Sequence, residues 1–137
     1  MAEEKNEEVK KFVGERHPEE FLLDDSRNIS MGPLSLQNSY FKLRHELAQA
    51  MIDSKEIIKE VSDEFYKVTG RKYDLYEKYM LDDAEIGIVV LNSTAGTAKD
   101  CVDNLRKQGI KAGILKPRAF RPLPFKEIPE ELKHLKA

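Results

Sequence analysis

The run Asp82-Asp83-Ala84-Glu85-Ile86-Gly87-Ile88-Val89-Val90-Leu91, then Asn92-Ser93-Thr94-Ala95-Gly96-Thr97, and further on Lys111-Ala112-Gly113-Ile114-Leu115, decides the fold. Residues 86–91 carry no polar side chain and are too few for most helices. Such runs are strands covered on both faces, as parallel sheets make them. Between the two apolar runs, Ala98, Cys101, Val102 and Leu105 recur at helical spacing and define one apolar face. Cys101 is expected to be a buried, inert thiol on that face. Gly109 is placed to end the helix in a left-handed conformation. The whole unit has the size of one βαβ crossover, about 30 residues. The predicted class is therefore α/β, with a parallel βαβ core belonging to a three-layer sandwich.

Upstream, residues 36–69 read as one long helix closed by Gly70. Tyr40, Leu43, Leu47, Ala50, Ser54, Ile57, Val61, Phe65 and Val68 form its stripe. A strict heptad would put Glu64 in the seam, whereas Phe65 fits a 3.6-residue period. The helix is thus expected to pack on a globular body rather than pair in a free coiled coil. At 1.5 Å per residue it would be about 50 Å long, more than a domain of this size needs, which points to a partner. Its wet face holds Lys55, Glu56, Lys59, Glu60, Asp63 and Lys67, with Asp63 and Lys67 at i,i+4 spacing.

Residues 3–16 read as a short charged helix with Val9, Phe12 and Val13 as its contacts, ended by Gly14 and Pro18. Residues 17–33 are rich in turn formers and read as an extended arm. Tyr73, Tyr76 and Tyr79 recur every third residue and read as a covering segment with half-buried rings. Pro117, Pro122 and Pro124 hold a loop open, and a last helix over 126–135 takes Pro129 in its first turn. Three regions follow: 1–34, helix and arm; 35–80, long helix and connecting segment; 81–137, a partial α/β domain. Two strands are too few for a stable sheet. The sheet therefore reads as truncated, with a third strand and further helices expected after Ala137.

The chain has 137 residues, a formal net charge of −2 and 35% charged side chains. Nucleic-acid binders usually show a basic face, so none is expected as a partner. One cysteine excludes a disulfide framework, and also an iron–sulfur or thiolate–zinc site built from this chain alone. It suits a reducing, cytoplasmic setting. No stretch approaches the ~20 apolar residues of a membrane span, so no membrane is expected as a partner either.

Candidate chemistry is sparse. The turn at 92–97 precedes a helix N-terminus, where backbone N–H groups and the helix dipole favour an anion. Ser93, Thr94, Gly96 and Thr97 are its candidate cofactor-binding residues, for a phosphate of a nucleotide or of coenzyme A. The turn lacks the glycine pattern of a dinucleotide site or a P-loop, and a plain helix start is the preferred reading. Thr97 with Asp100 resembles a capping box. Arg118 and Arg121 flank Phe120 and present planar forks suited to a carboxylate or phosphate on a neighbour; they are the candidate interface residues. His17, His45 and His134 are scattered, and no metal ligands are assigned. Asp82, Asp83 and Glu85 read as a solvated lip before the first strand rather than an acid–base pair. No catalytic residue is assigned.

Gly70-Arg71-Lys72-Tyr73, Tyr79, Asp83-Ala84-Glu85, Ser93, Gly96-Thr97, Gly109, Gly113 and Arg121-Pro122-Leu123-Pro124 carry a likeness in their order and spacing. Together they resemble the second domain of the α subunit of pyruvate (2-oxoacid):ferredoxin oxidoreductase, which is similar to the C-terminal domain of transketolases. Met31-Gly32-Pro33-Leu34 and Tyr40-Phe41 resemble the segment before that domain. Two positions depart from the pattern: Leu123 stands where the family often has Phe, and Asn92 where Gly often precedes the serine. The resemblance implies a part of an enzyme that oxidatively decarboxylates a 2-oxoacid to acyl-CoA and reduces ferredoxin. It implies thiamine diphosphate, magnesium, iron–sulfur clusters and coenzyme A for the complex, with none on this chain. Its partners would be the other subunits, and ferredoxin through the complex. The role expected of this segment is structural. Two other readings are a stand-alone α/β module binding an anion at the 92–97 turn, and a helical interaction protein built on the long helix.

Overall fold

The computed structural model describes residues 4–19, 21–28, 32 and 34–137. The chain divides into two compact units, Met1–Ala50 and Met51–Ala137. In the first unit, α1 (Asn6–Val13) has Glu7 and Glu8 in its first turn and Lys10 and Lys11 in its last, matching the helix dipole at both ends. Gly14 ends it at φ 71°, its N–H returning to the Lys10 carbonyl. In the stretch that reads as an arm, Asp24 accepts from the Ser26 backbone N–H at 3.0 Å, a local turn of the kind Asp favours. Glu20, Ile29, Ser30, Met31 and Pro33 of that stretch lie outside the described residues, as does Glu3 of the first predicted helix.

The long helix forms as one element, α2 (Gln37–Thr69), beginning in the first unit and ending in the second. Thr69 Oγ1 donates to the Phe65 carbonyl, and the N–H of Gly70, at φ 70°, bonds the Tyr66 carbonyl. Tyr40, Leu43, Leu47, Ile57, Val61 and Val68 of the predicted stripe are exposed. Within the second unit the covered face is instead Met51, Ser54, Ile58, Ser62 and Phe65, about 100° round the helix from Ile57 and Val61. Only Ser54 and Phe65 belong to both sets. Asp63 also departs from expectation, since it pairs with Lys72 at 3.2 Å rather than with Lys67.

The sheet has the order β1-β3-β2. β2 (Ile86–Val89) and β3 (Ala112–Pro117) run parallel, with Ile86 opposite Ala112 and Ile88 opposite Ile114, bridged by α3 (Thr94–Lys107). The expected βαβ unit is present. A third strand, β1 (Tyr76–Tyr79), lies antiparallel to β3 with Tyr76 opposite Pro117. The sheet's third strand therefore comes before the βαβ unit, and the tyrosine segment is a strand rather than a mere cover. Its alternation is visible in the side-chain partners: Tyr76 and Lys78 reach Glu131, while Glu77 and Tyr79 reach Lys99 and Asp103.

Helices cover both faces. Ala112 and Ile114 pack with Val102, Ala98 and Leu105 of α3. Leu115, with Leu81 and Ala84, packs beneath Ile128 and Leu132 of α4 (Glu127–Leu132) and Leu135. Residues Ala112, Gly113, Ile114 and Leu115 are all buried, whereas Ile86, Ile88 and Val89 are about half exposed. The strand covered on both faces is thus β3, because it is central; β2 lies at an edge. Gly113 is required by packing, since an added methyl there would lie 2.6 Å from the Met80 carbonyl oxygen and 2.8 Å from Leu81 Cα. Gly109, at φ 80°, ends α3 in a Schellman motif: its N–H bonds the Arg106 carbonyl and that of Ile110 bonds Leu105. Cys101 is exposed, contrary to expectation, because α3 turns Ala95, Ala98, Val102 and Leu105 inward and leaves Cys101 beside that stripe.

Candidate functional site

The helix-start turn is tighter than the sequence suggests. Asn92, between β2 and α3, takes the left-handed conformation at φ 55°, which Asn tolerates better than most residues. α3 then starts at Thr94, with Ser93 as its first flanking residue in helical geometry and making no side-chain cap bond. The Ala95 N–H bonds the Asn92 carbonyl at 3.3 Å, and the Gly96 N–H bonds the Ser93 carbonyl at 2.9 Å. Two of the donors that would cradle an anion are already used. Thr97 falls inside the first turn, so the Thr97–Asp100 capping box does not form at the helix boundary. Ser93, Thr94, Gly96 and Thr97 are brought together and are all exposed.

A second region is more highly organised. Lys72, Asp74, Tyr76, Glu77, Lys78, Arg118 and Glu131 line an open cavity of about 440 Å³ on the β1 side of the sheet. Strand β1 sends Glu77 to one face and Tyr76 and Lys78 to the other. Glu77 is the hub: it accepts from Lys99 of α3 and from Arg118 Nη2 at 2.6 Å. The Lys99 bond, and then Arg118, hold the Glu77 carboxyl below its ordinary range. Arg118 also donates to the Lys72 carbonyl at 3.0 Å and lies 4.8 Å from the Tyr73 ring centroid. On the other face, Glu131 of α4 accepts from the Tyr76 hydroxyl at 2.9 Å and from Lys78 at 3.0 Å. Lys78 reaches Asp82 as well, at 2.6 Å. Lys78, with help from Tyr76, keeps Glu131 below the usual carboxylate range. Burial, then the Glu131 bond, pushes the Tyr76 phenol up to about 12.

The arrangement has three cations and three carboxylates, and each has a partner of opposite charge or a hydrogen bond. Asp74 accepts from the Leu75 N–H and faces Lys72 at 3.8 Å. A balanced, internally paired set of this kind ties strand, loop and helices together. It offers neither an unpaired base for proton abstraction nor a spare fork for an anion. Arg118 is committed to this network, while Arg121 stands exposed beyond it. Glu77 and Glu131 went unmarked in the sequence. The signal that could have marked them is the Tyr76-Glu77-Lys78-Tyr79 alternation, read as a strand.

The acidic lip is paired too. Asp83 receives Arg106 in a two-pronged contact at 2.7 and 2.8 Å, and Glu85 receives Lys136 at 2.6 Å. His134 Nε2 lies 2.9 Å from the Leu81 carbonyl oxygen. Among the described residues no three His, Cys, Asp or Glu side chains are grouped to hold a metal ion.

Comparison with known proteins places this unit. Residues 84–137 match the family model of pyruvate:ferredoxin oxidoreductase core domain II. The pyruvate synthase subunit PorA of Thermotoga maritima is 42% identical over 127 residues, covering 93% of this chain and 32% of that subunit. The PorA subunit of Pyrococcus abyssi is 42% identical over 130 residues, 95% of this chain and 33% of its own. The ketoisovalerate oxidoreductase subunit VorA of the same organism is 39% identical over 123 residues, 89% of this chain and 31% of its own. The chain spans about a third of the length of the curated relatives it matches. Over most of its length the chain is thus similar to one stretch of these oxidoreductase subunits, and its βαβ part matches core domain II of pyruvate:ferredoxin oxidoreductase.

Proposed function

We propose that the chain serves as a structural, assembly-supporting part of a 2-oxoacid:ferredoxin oxidoreductase α-type subunit, within an enzyme that converts a 2-oxoacid to acyl-CoA and carbon dioxide. The observation that carries this reading is the 42% identity, over 93% of the chain, to a pyruvate synthase subunit. Relatives named for pyruvate and for ketoisovalerate both match, so the substrate class is 2-oxoacids, with pyruvate as the first expectation. The paired charges around Glu77 and Glu131 support a structural role, because they cross-link the sheet to its helices and leave no free acid or base. The exposed stripe of α2 supports assembly with other subunits.

Thiamine diphosphate, magnesium, iron–sulfur clusters and coenzyme A belong to the whole complex in this reading. The residues present do not fit the clusters, which need several thiolates where this chain has only Cys101. No step is assigned to this chain's side chains. Ferredoxin is met through the complex, and the location is cytoplasmic, as an unpaired cysteine suits. No helix among the described residues is long and apolar enough to cross a membrane. The likeness to the transketolase C-terminal domain is part of the same proposal, supported by the parallel βαβ unit between two helical layers.

The test is an assay of the purified chain for pyruvate-dependent ferredoxin reduction, with thiamine diphosphate, magnesium and coenzyme A supplied. No turnover is expected, and measurable turnover overturns the structural assignment. Calorimetric titration with coenzyme A is expected to be silent. Micromolar binding abolished by Ser93→Ala and Thr94→Ala together would instead establish an anion site at the 92–97 turn.

A further inference from the structure

We propose that the exposed seam of α2 in the second unit pairs with a helix of another subunit, one that sets a lysine or arginine opposite Glu64. Resting on the assembly role proposed above, the seam adds the chemistry of the partner. In this unit Met51, Ser54, Ile58, Ser62 and Phe65 are the covered side of α2. Ile57, Val61 and Val68 do not join them, and are 56%, 46% and 52% exposed. With Glu64 these residues stand at i, i+4, i+7 and i+11, the spacing along which one helix packs against another.

Charge selects what covers the seam. Glu60 and Glu64 stand about one turn apart, with Glu60 on the border away from the covered side. Their neighbours Glu56 and Asp63 are engaged, by Lys59 at 3.1 Å and Lys72 at 3.2 Å. Glu60 and Glu64 enter no ion pair among the described residues. A carboxylate within a seam is costly to dry against an apolar partner, and a cation facing it offsets that cost. The facing helix therefore offers Lys or Arg to Glu64, and a second cation one turn away to Glu60. A second copy does not meet this requirement. The seam holds no lysine or arginine, and a two-fold contact centred on Val61 sets the Glu60 side chains of the two copies against each other. The same two carboxylates turn the seam away from an anionic lipid surface.

The experiment titrates the full chain into two fluorescein-labelled helical probes, each about three heptads long. Both have a leucine seam interrupted once, by lysine in one probe and by glutamate in the other, with the same charge along the borders. By anisotropy at low salt the lysine probe is expected to bind about tenfold or more tightly than the glutamate probe. Val61→Asp should abolish that binding. Glu60→Lys together with Glu64→Lys should invert the preference. Glu7→Lys together with Glu8→Lys, the same change in net charge on exposed residues of α1, should leave it as it was. Binding of neither probe overturns the proposal. So does a preference that the α1 variant inverts equally, since net charge alone would then explain it. So does self-association in sedimentation that Val61→Asp abolishes, which would give the seam to a second copy. None of these readouts involves turnover, so the seam can fail while the structural assignment stands, and the reverse.

Discussion

Strands β2 and β3 look alike in sequence and live in different places. Ile86-Gly87-Ile88-Val89 and Ala112-Gly113-Ile114-Leu115 are both short, apolar and interrupted by one glycine. Yet the second is wholly buried and the first is half exposed. The difference comes from β1, which pairs with β3 and makes it central. Apolar content says that a strand is wanted by a core. It does not say on how many sides that core arrives.

The contrast can be broken most sharply by truncating one residue in each strand. Leu115→Ala should cost about 2–5 kcal/mol by chemical denaturation, because Leu115 is fully buried beneath α4. Ile88→Ala should cost about 1 kcal/mol, since Ile88 already meets water on one side. Equal costs would show that the β2 edge is covered in solution.

The paired glycines sharpen the same comparison. Gly113→Ala sets a methyl against the backbone of Met80 and Leu81 and should cost about 1–3 kcal/mol. Gly87→Ala meets only the end of the Leu135 side chain, which can rotate away, so its cost should stay below about 1 kcal/mol. A Gly87 variant as damaging as the Gly113 variant would mean that Leu135 is held as firmly as backbone.

Charges repeat the pattern on a smaller scale. Glu77→Gln weakens contacts to Lys99 and Arg118 and should cost about 1 kcal/mol in denaturant titrations. Glu85→Gln, whose partner Lys136 is exposed, should leave the midpoint unchanged. The pH profile follows from the directions of the shifts. Lys99, Lys55 and Lys78 hold Glu77, Glu127 and Glu131 below their ordinary carboxyl range. Their contribution is therefore complete above the unfolded value of about 4.3 and is lost as pH falls through the lower folded values. Tyr76 works in the opposite sense: its pairing is complete below pH 10 and is lost as pH rises through about 12. Thermal midpoints recorded across both ranges check the two limbs, and Tyr76→Phe should diminish the alkaline one, to which Tyr79 and Lys78, also raised by their acidic partners, contribute.

The smallest effect concerns Cys101. Exposed beside the stripe that α3 buries, it should react with a maleimide in the folded chain within a few-fold of its rate in denaturant. Strong protection would return it to the packed face.

Local signals carried far in this molecule. Gly70 and Gly109 end α2 and α3 where their conformational freedom suggests. The βαβ unit could be read from an apolar run, a helical period and a second apolar run. What stayed hidden were pairings between distant residues. Tyr76, Glu77, Lys78 and Tyr79 alternate as a strand does, but four residues with two tyrosines at i,i+3 fit a helical face equally well, and only contact with β3 settles them. The stripe on α2 was misplaced for a related reason. A 3.6-residue period finds the apolar side of a helix, yet the second unit covers Ser62 and Ile58 while leaving Ile57 and Val61 in water. Arg118, read as a free fork for a neighbour, turns back onto Glu77, a residue 41 positions earlier.

By itself the sequence determined what depends on near neighbours along the chain: the long helix and the glycines that end α2 and α3, the two parallel strands with their bridging helix, and the kinship that rests on the order of its residues, while α1 and α4, read over 3–16 and 126–135, form only over Asn6–Val13 and Glu127–Leu132. Tertiary structure alone decided which strand is central, which helix face is covered, which charges meet, and where the open edge of the sheet lies. Periodicity and capping act within a few residues, whereas burial and ion pairing are set by segments dozens of positions apart that meet only once the chain has folded.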